Sequence, residues 1–482
     1  MAEIEEEVLR CYLGAFGVER QEAGEAFQGF GEGPDPGEIS RLQARISEAP
    51  AARRALLSRL LGRARMRGEE RAKNPAEAAG EVLAALVQAE LRGDAERQAV
   101  LEATPPYLSA VLRRARGGTL SQGTRSFGVQ AASLAAGLLL ARGADAELAE
   151  QGDLLGRGFL ACEHFVRGLD ELQAAPQEGP MGAHPYADLL LAEAGARVYP
   201  KELAEAAMTA LLAEMREARR IARQISPGED LFEVVAGIGE DAPENEAELL
   251  EAYREARAAV EAAVAADFPA PQAKLEIALA PAQLHGLLPF TAYLPPSAAD
   301  PAGTVILSQA LGPMTSAHAR ARTLLACAHD GVPGSHLLFA AAQGDRLRRL
   351  LLSPYAAQGW ALYGARYAAE RLGSEKVSLI AALDSARRAG RAFADVALHA
   401  GLAAREDVQR ILSDALSLPE GMAEAEVQGV ARQPGYAALP WWLAQDIADR
   451  VRGAVAAGGR LKDVHAQILA QGALGGQEEA SA

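Results

Sequence analysis

Two short stretches in the second half of the chain decide how it folds: His329-Asp330-Gly331-Val332-Pro333-Gly334-Ser335-His336, and Gln358-Gly359-Trp360-Ala361-Leu362-Tyr363. In the first stretch, proline within a helix removes a backbone donor and clashes with the preceding turn. A straight helix would also hold His329 and His336 about 10 Å apart along its axis. We therefore predict that the helix breaks at Pro333-Gly334 and folds back, because Gly334 has the backbone freedom to do so.

The composition around these stretches favours helices through most of the chain. Of the 482 residues, 49% are hydrophobic but only 5% are aromatic, so alanine and leucine must fill much of the interior. Both are strong helix formers that lose little side-chain entropy. The length suffices for one large or two medium domains. We predict a mostly α fold, with an N-terminal helical region at 1–180 and a second helical domain at 181–482.

A stretch at 273–310 interrupts the helical pattern. It contains an alternating segment at 273–279 and a β-branched, apolar segment at 304–308. Such segments are typical of strands, and we predict a small antiparallel sheet embedded in the helical domain. In the N-terminal region, Pro105-Pro106 is predicted to interrupt a helix, and the Gly- and Ser-rich stretch 117–128 is predicted to be a loop.

The charge and the cysteines exclude several classes of protein. A formal net charge of −16 at pH 7 argues against nucleic-acid and anionic-membrane partners, which require a basic surface. Cys11, Cys162 and Cys327 are far apart and form no CxxC pair, so neither a disulfide framework nor a cysteine-built zinc site is expected. The acidic first residues lack the layout of a secretory signal. We expect a soluble, cytoplasmic protein.

Together, the two stretches resemble HEGxPGHH and EGWALY, the paired signature of a large bacterial family of zinc-metallopeptidase-like proteins, domain of unknown function 885. Weaker elements follow in the family's order, namely Asp395-Val396-Ala397-Leu398-His399, Pro434-Gly435-Tyr436-Ala437 and Val464-His465-Ala466. The resemblance implies a large metallopeptidase-like fold, in which long helices enclose a deep channel and a short sheet lines one side.

The resemblance implies that His329 and His336 stand at metal-binding positions and Asp330 at the general-base position. A catalytic zinc needs three protein ligands and an open position for a water molecule, which a nearby carboxylate deprotonates. Here Asp330 replaces a glutamate and is one methylene shorter. Ser335 replaces a histidine, and Gln358 replaces the glutamate expected to be the third ligand, although a neutral amide is a poor zinc donor. We expect no cofactor at this site, with zinc as the alternative.

Further site residues follow from the same resemblance. Three of them are catalytic positions, namely Tyr363, His399 and His465. The other three are substrate-binding positions, namely Arg388, Tyr436 and Ile306. An arginine in a cleft would suit a carboxylate. The strand at 304–308 would bind an extended peptide by strand addition.

Three functions stay open at this point. The first is a metallopeptidase-derived protein that binds peptides or peptide-like ligands without standard zinc hydrolysis. The second is an active hydrolase, such as a peptidase or amidase, with a rebuilt site. The third is a structural partner of another protein. The joint replacements at positions 330, 335, 358 and 365, where Ala365 stands at a position at which the family often has glutamate, favour the first, because they remove carboxylate and imidazole together.

Overall fold

The computed structural model describes the chain except for residues 1, 16–20, 22–25, 32, 34, 144–151, 176–179, 289, 298–299, 309–314, 353 and 473–482. The described residues are mostly helical, as the composition predicts. They divide into two compact units, Met1–Glu178 with Ala280–Leu288, and Gly179–Leu279 with Pro289–Ala482. None of the described helices is both long enough and apolar enough to cross a membrane.

The first unit is helical apart from one small pair of strands. Its described α-helices are α1 (Ala2–Ala15), α2 (Pro36–Arg45), α3 (Ala51–Lys73), α4 (Glu77–Arg92), α5 (Asp94–Ala115), α6 (Gln122–Gly143) and α7 (Gly152–Asp170). Strands β1 (Thr119–Ser121) and β2 (Gln173–Ala175) pair in parallel. Small and aliphatic side chains from α4 to α7 form most of the core of this unit.

Two predictions for this unit were wrong. Helix α5 continues through Pro105 and Pro106, because burial of its apolar face outweighs the loss of two backbone donors. The predicted loop at 117–128 is instead strand β1 followed by the first turns of α6. There the glycines that suggest a loop have a packing role, since a Cβ on Gly128 would lie only 2.7 Å from the side chains of Ala76 and Leu169.

The second unit contains both quoted stretches. Its described α-helices are α8 (Ala183–Ala194), α9 (Pro200–Ile225), α10 (Leu231–Ile238), α11 (Glu246–Val264), α12 (Arg320–Asp330), α13 (Ser335–Ala342), α14 (Arg346–Leu351), α15 (Pro354–Leu372), α16 (Glu375–His399), α17 (Arg405–Leu416), α18 (Glu420–Arg432), α19 (Ala438–Ala456) and α20 (Leu461–Ala470). Helix α12 packs against α11, α15 and α16, so its residues reach the centre of the unit. The deep channel that the resemblance implies stays a prediction.

The predicted sheet exists, but it is mixed rather than antiparallel. Its strands are β3 (Leu275–Leu279), β4 (Thr291–Leu294) and β5 (Gly303–Leu307), in the order β3-β5-β4. The central strand, β5, pairs in parallel with β3 and antiparallel with β4. The strand pattern predicts the segments correctly, but pairing directions depend on the path of the chain between them, which alternation does not encode.

The predicted break in the first quoted stretch is confirmed. Helix α12 ends at Asp330, and α13 begins at Ser335. A Cβ on Gly334 would overlap the backbone carbonyl oxygen of His329, so only glycine fits at this position.

The second quoted stretch holds this break in place. Trp360 of α15 is fully buried and donates its indole N–H to the carbonyl oxygens of Pro333, at 2.7 Å, and Gly334, at 3.2 Å. A Cβ on Gly364, one turn further along α15, would lie 3.3 Å from the backbone of Pro333 and Gly334. The two stretches therefore form one structural unit, which we call the α12–α13 joint.

Candidate functional site

His329 and Asp330 form a hydrogen-bonded pair at the end of α12. The Nδ1 atom of His329 lies 2.7 Å from Oδ1 of Asp330. Because a carboxylate oxygen accepts, Nδ1 carries the hydrogen, and in this tautomer Nε2 is the acceptor nitrogen of the imidazole. Nε2 is buried and has no hydrogen-bond partner within the described part of the chain. A ligand that donates a hydrogen bond would satisfy it.

A carboxylate and two arginines lie near this pair. Asp384 of α16 accepts a hydrogen bond of 2.8 Å from Nε of Arg388. Desolvation raises the pKa of the Asp384 carboxyl, but the guanidinium of Arg388 outweighs it and leaves that pKa below its usual range. Half of the Asp384 side chain is exposed to solvent. The second arginine is Arg322 of α12, which also interacts electrostatically with Asp384.

Asp330 faces the small sheet on its other side. Burial raises the pKa of Tyr253 and of Tyr293, and the negative charge of Asp330 adds to the effect on each. Tyr293 belongs to β4, which contacts α12, so the end of α12 that carries Asp330 is close to this strand. The site is therefore built from α12, α16 and the edge of the sheet.

Both ring nitrogens of His336 are engaged within the fold, which supports a structural role, and the predicted metal-binding role stays a prediction. Its Nε2 lies 3.0 Å from the carbonyl oxygen of Ala273, and its Nδ1 lies 3.0 Å from the hydroxyl of Tyr293. A carbonyl oxygen only accepts, so Nε2 carries the hydrogen and Nδ1 accepts from the tyrosine. Desolvation lowers the pKa of His336, which favours this neutral form. The residue connects α13 to the sheet.

Tyr363 and His465, both predicted to be catalytic, do contact each other. The Tyr363 hydroxyl lies 2.7 Å from Nε2 of His465, while Nδ1 of His465 donates to the carbonyl oxygen of Asp267 at 2.7 Å. The imidazole also stacks on Phe268, with ring centroids 3.9 Å apart. Every polar atom of the imidazole is thus engaged within the fold. This geometry supports a structural role, and the predicted catalytic role stays a prediction.

The same arrangement occurs at His318, although the sequence gave no reason to select it. Its Nδ1 lies 3.0 Å from the hydroxyl of Tyr253, and its Nε2 lies 3.0 Å from the carbonyl oxygen of Ser308. We call His318, His336 and His465 the tyrosine-bonded histidines. Desolvation lowers the pKa of all three imidazoles.

His399 and Tyr436 belong to a different part of the second unit. Asp395 accepts hydrogen bonds from the Tyr186 hydroxyl and from the backbone N–H groups of Gly435, Ala437 and Ala438. It thereby anchors the segment that carries Tyr436, and His399 stacks on Tyr186 nearby. His399 lies 15 residues beyond Asp384 on α16, which is about 22 Å along the axis. Neither residue therefore joins the site beside His329.

Two predicted substrate-binding residues have other surroundings. Arg388 is close to the site, but its guanidinium already pairs with Asp384. Ile306 is buried on the central strand β5, which has neighbours on both sides. Strand addition requires an open edge, so the predicted addition of a peptide at 304–308 is wrong for this strand.

The residues present do not fit a catalytic zinc ion. Within the described ranges, no group of three or more His, Cys, Asp or Glu side chains is arranged to hold a metal ion. The predicted second imidazole, His336, is engaged on both ring nitrogens. Ser335 and Gln358 supply neither imidazole nor carboxylate at the other positions that the resemblance implies.

Reasoning from sequence missed Arg322 and Asp384. Arg322 lies seven residues before His329, which is two helical turns, and this spacing places the two residues on one face of α12. That spacing is a signal that could have been used. Asp384 carries no comparable signal, because it reaches His329 only through the packing of α16 against α12.

Comparison with known proteins identifies the family. A profile of bacterial proteins of unknown function, DUF885, matches residues 17–477. The chain belongs to the DUF885 family. No match was found among curated protein sequences.

Two solved structures resemble this DUF885 protein over nearly its whole length. A provisionally named lipoprotein of Colwellia psychrerythraea is 15% identical with a TM-score of 0.67, and the match covers 98% of each chain. A provisionally named lipoprotein of unknown function from Shewanella oneidensis is 14% identical with a TM-score of 0.71, covering 98% of this chain and 97% of the other. At such low identity the likeness shows the shared fold alone.

Proposed function

We propose that this DUF885 protein binds a peptide or peptide-like ligand beside His329, without the standard zinc-dependent hydrolysis that the sequence resemblance implies. The observation that carries the proposal is the buried Nε2 atom of His329, which has no partner among the described residues. A buried acceptor without a hydrogen bond costs about 1–3 kcal/mol. A donor from a ligand would recover this free energy on binding.

The groups around His329 suit a peptide backbone. A peptide offers N–H donors for Nε2 of His329 and for the half-exposed carboxylate of Asp384. Binding sites of this kind need only a few polar groups placed on a rigid scaffold. The α12–α13 joint supplies that rigidity, since Trp360 fixes the backbone at Pro333 and Gly334, three and four residues after Asp330.

Affinity selection with a defined peptide pool tests this proposal. Untagged protein is incubated with N-acetylated tripeptides, separated by size exclusion, and the retained peptides are identified by mass spectrometry. We expect wild type to retain peptides and His329→Ala to lose them. His399→Ala is the matched control, because His399 is also buried and also has one unpartnered ring nitrogen, Nδ1, but lies elsewhere on α16.

Elemental mass spectrometry on the same zinc-supplemented samples tests the second part of the proposal. We expect less than one equivalent of zinc in wild type and no change in His329→Ala. One equivalent that disappears in the variant would contradict the loss of standard zinc chemistry. Equal peptide retention by wild type and His329→Ala would contradict binding beside His329.

A second candidate is a hydrolase rebuilt around His329 and Asp330. The observation in its favour is the pair itself, because Asp330 fixes the tautomer in which Nε2 acts as a base. Nε2 would take a proton from water, whose oxygen attacks the carbonyl carbon of a bound amide, and the proton would then pass to the leaving amine. If so, cleavage of the retained tripeptides should be resistant to chelators and should fall by about 10²–10⁴-fold in Asp330→Asn.

A further inference from the structure

Arg322 of the second unit combines a desolvated guanidinium with the lack of a direct partner among the described residues. The residue is half-buried on α12, and no side-chain hydrogen bond or ion pair engages it within the described ranges. Arg320, two residues earlier, differs in both respects, since its side chain is 69% exposed and lies 3.8 Å from Glu255. A half-buried arginine usually recovers its desolvation cost through a carboxylate or phosphate partner.

The nearest acidic group does not serve this purpose. Asp384 interacts with Arg322 electrostatically, but its carboxylate is bound at 2.8 Å by Arg388. The Asp384 carboxylate is therefore in direct contact with Arg388 and not with Arg322. The positive charge of Arg322 is left for another anion.

The position of Arg322 relative to His329 sets the size of a ligand that reaches both. The two residues lie seven positions apart on α12, with the half-exposed Leu325 and Ala326 between them on the same face. Seven residues of helix rise about 10 Å. An extended peptide covers this distance with about three residues.

We propose that Arg322 binds a carboxylate of the ligand, and that the ligand spans the two helical turns from Arg322 to the open Nε2 atom of His329. The inference rests on the proposed function, because it presumes a peptide-like ligand beside His329. The guanidinium would bind the carboxylate through two parallel N–H donors, an arrangement that lysine cannot reproduce. The carboxylate comes either from the C-terminus of a short peptide or from an acidic side chain at the third residue.

Three synthetic peptides distinguish these sources by isothermal titration calorimetry: N-acetyl-Ala-Ala-Ala as the free acid, the same peptide as the C-terminal amide, and N-acetyl-Ala-Ala-Glu as the amide. Each is titrated into wild type, Arg322→Gln and Arg320→Gln. Arg320→Gln is the matched control, because it removes an equal charge from the same helix at an exposed position. Circular dichroism of each variant verifies the fold.

We expect wild type to bind the free acid about tenfold or more tightly than the amide, because hydrogen bonds to charged groups are the stronger class. Arg322→Gln should bind both alike, and Arg320→Gln should behave as wild type. Equal affinity of the glutamate peptide and the free acid would show that a side-chain carboxylate suffices. Weaker binding of the glutamate peptide than of the free acid would assign the site to a C-terminal carboxylate.

Two results would overturn the inference, and they have different consequences. If wild type binds the acid and the amide equally, or if Arg322→Gln keeps the preference, the carboxylate site is refuted while peptide binding stands. If none of the peptides binds to wild type, the carboxylate site and the proposed function fail together.

Discussion

The α12–α13 joint depends on one side-chain donor, so Trp360→Phe should loosen it selectively. The substitution keeps an aromatic ring but removes the indole N–H that reaches the carbonyl oxygens of Pro333 and Gly334 at 2.7 and 3.2 Å. Each buried acceptor left without a partner costs about 1–3 kcal/mol. Counting only the shorter bond, local opening of the joint should become easier by that amount, which is a factor of about 5 to 150 in the opening equilibrium.

Hydrogen exchange measured by mass spectrometry reports this opening directly. Amides at 331–338 should exchange about 5 to 150 times faster in Trp360→Phe than in wild type. Trp441→Phe is the matched control, because Trp441 is also buried but its indole makes no hydrogen bond to a described residue. Trp441→Phe removes the same ring volume as Trp360→Phe, but it takes no hydrogen-bond donor from a carbonyl oxygen. Unchanged exchange at 331–338 in Trp360→Phe, or an equal increase in Trp441→Phe, would refute the role of the indole donor.

Three further predictions concern stability. Burial lowers the pKa of the tyrosine-bonded histidines, so the unfolded chain binds more protons below about pH 6.5. The thermal midpoint should therefore be steady above that pH and fall below it, with each histidine contributing up to about 1.4 kcal/mol per pH unit; a flat profile from pH 7.5 to 5 would contradict this. Glu90→Ala should cost about 3 kcal/mol in urea unfolding, because it removes the buried carboxylate that pairs with both Arg97 and Arg142; a loss under 1 kcal/mol would contradict a stabilising role of this carboxylate. Gly334→Ala should cost about 3 kcal/mol by overlap with backbone, whereas Gly344→Ala, where a Cβ meets open space, should be nearly neutral.

The helical class and the joint could be predicted from sequence because both depend on local rules. Alanine- and leucine-rich segments favour helices. A Pro-Gly step disfavours the continuation of a helix, because proline lacks the backbone donor and clashes with the preceding turn. The break between Asp330 and Ser335 follows from these rules alone. Pro105 and Pro106 show their limit, since a well-buried helical face overrides the same rule in α5.

The assembly of the candidate site could not be predicted, because it depends on contacts between distant segments. His336 is engaged by Tyr293, 43 residues away in sequence, and His465 is engaged by Tyr363, 102 residues away. A histidine that is satisfied by a distant tyrosine has the same local sequence as one that binds metal. Only His329 and Asp330, which are adjacent in the chain, could be paired from the sequence.

The contrast among the histidines decides how the site should be interpreted. A histidine that serves only the fold is expected to have both ring nitrogens engaged, as the tyrosine-bonded histidines do. His329 and His399 each leave one buried nitrogen without a partner among the described residues. They differ in access, because His399 is only 4% exposed and stacks on Tyr186, whereas the side chain of His329 is 18% exposed and lies on the half-exposed face of α12. The His329 side chain is therefore more accessible than that of His399, although its Nε2 atom is buried, and the joint alone does not account for this unpartnered nitrogen.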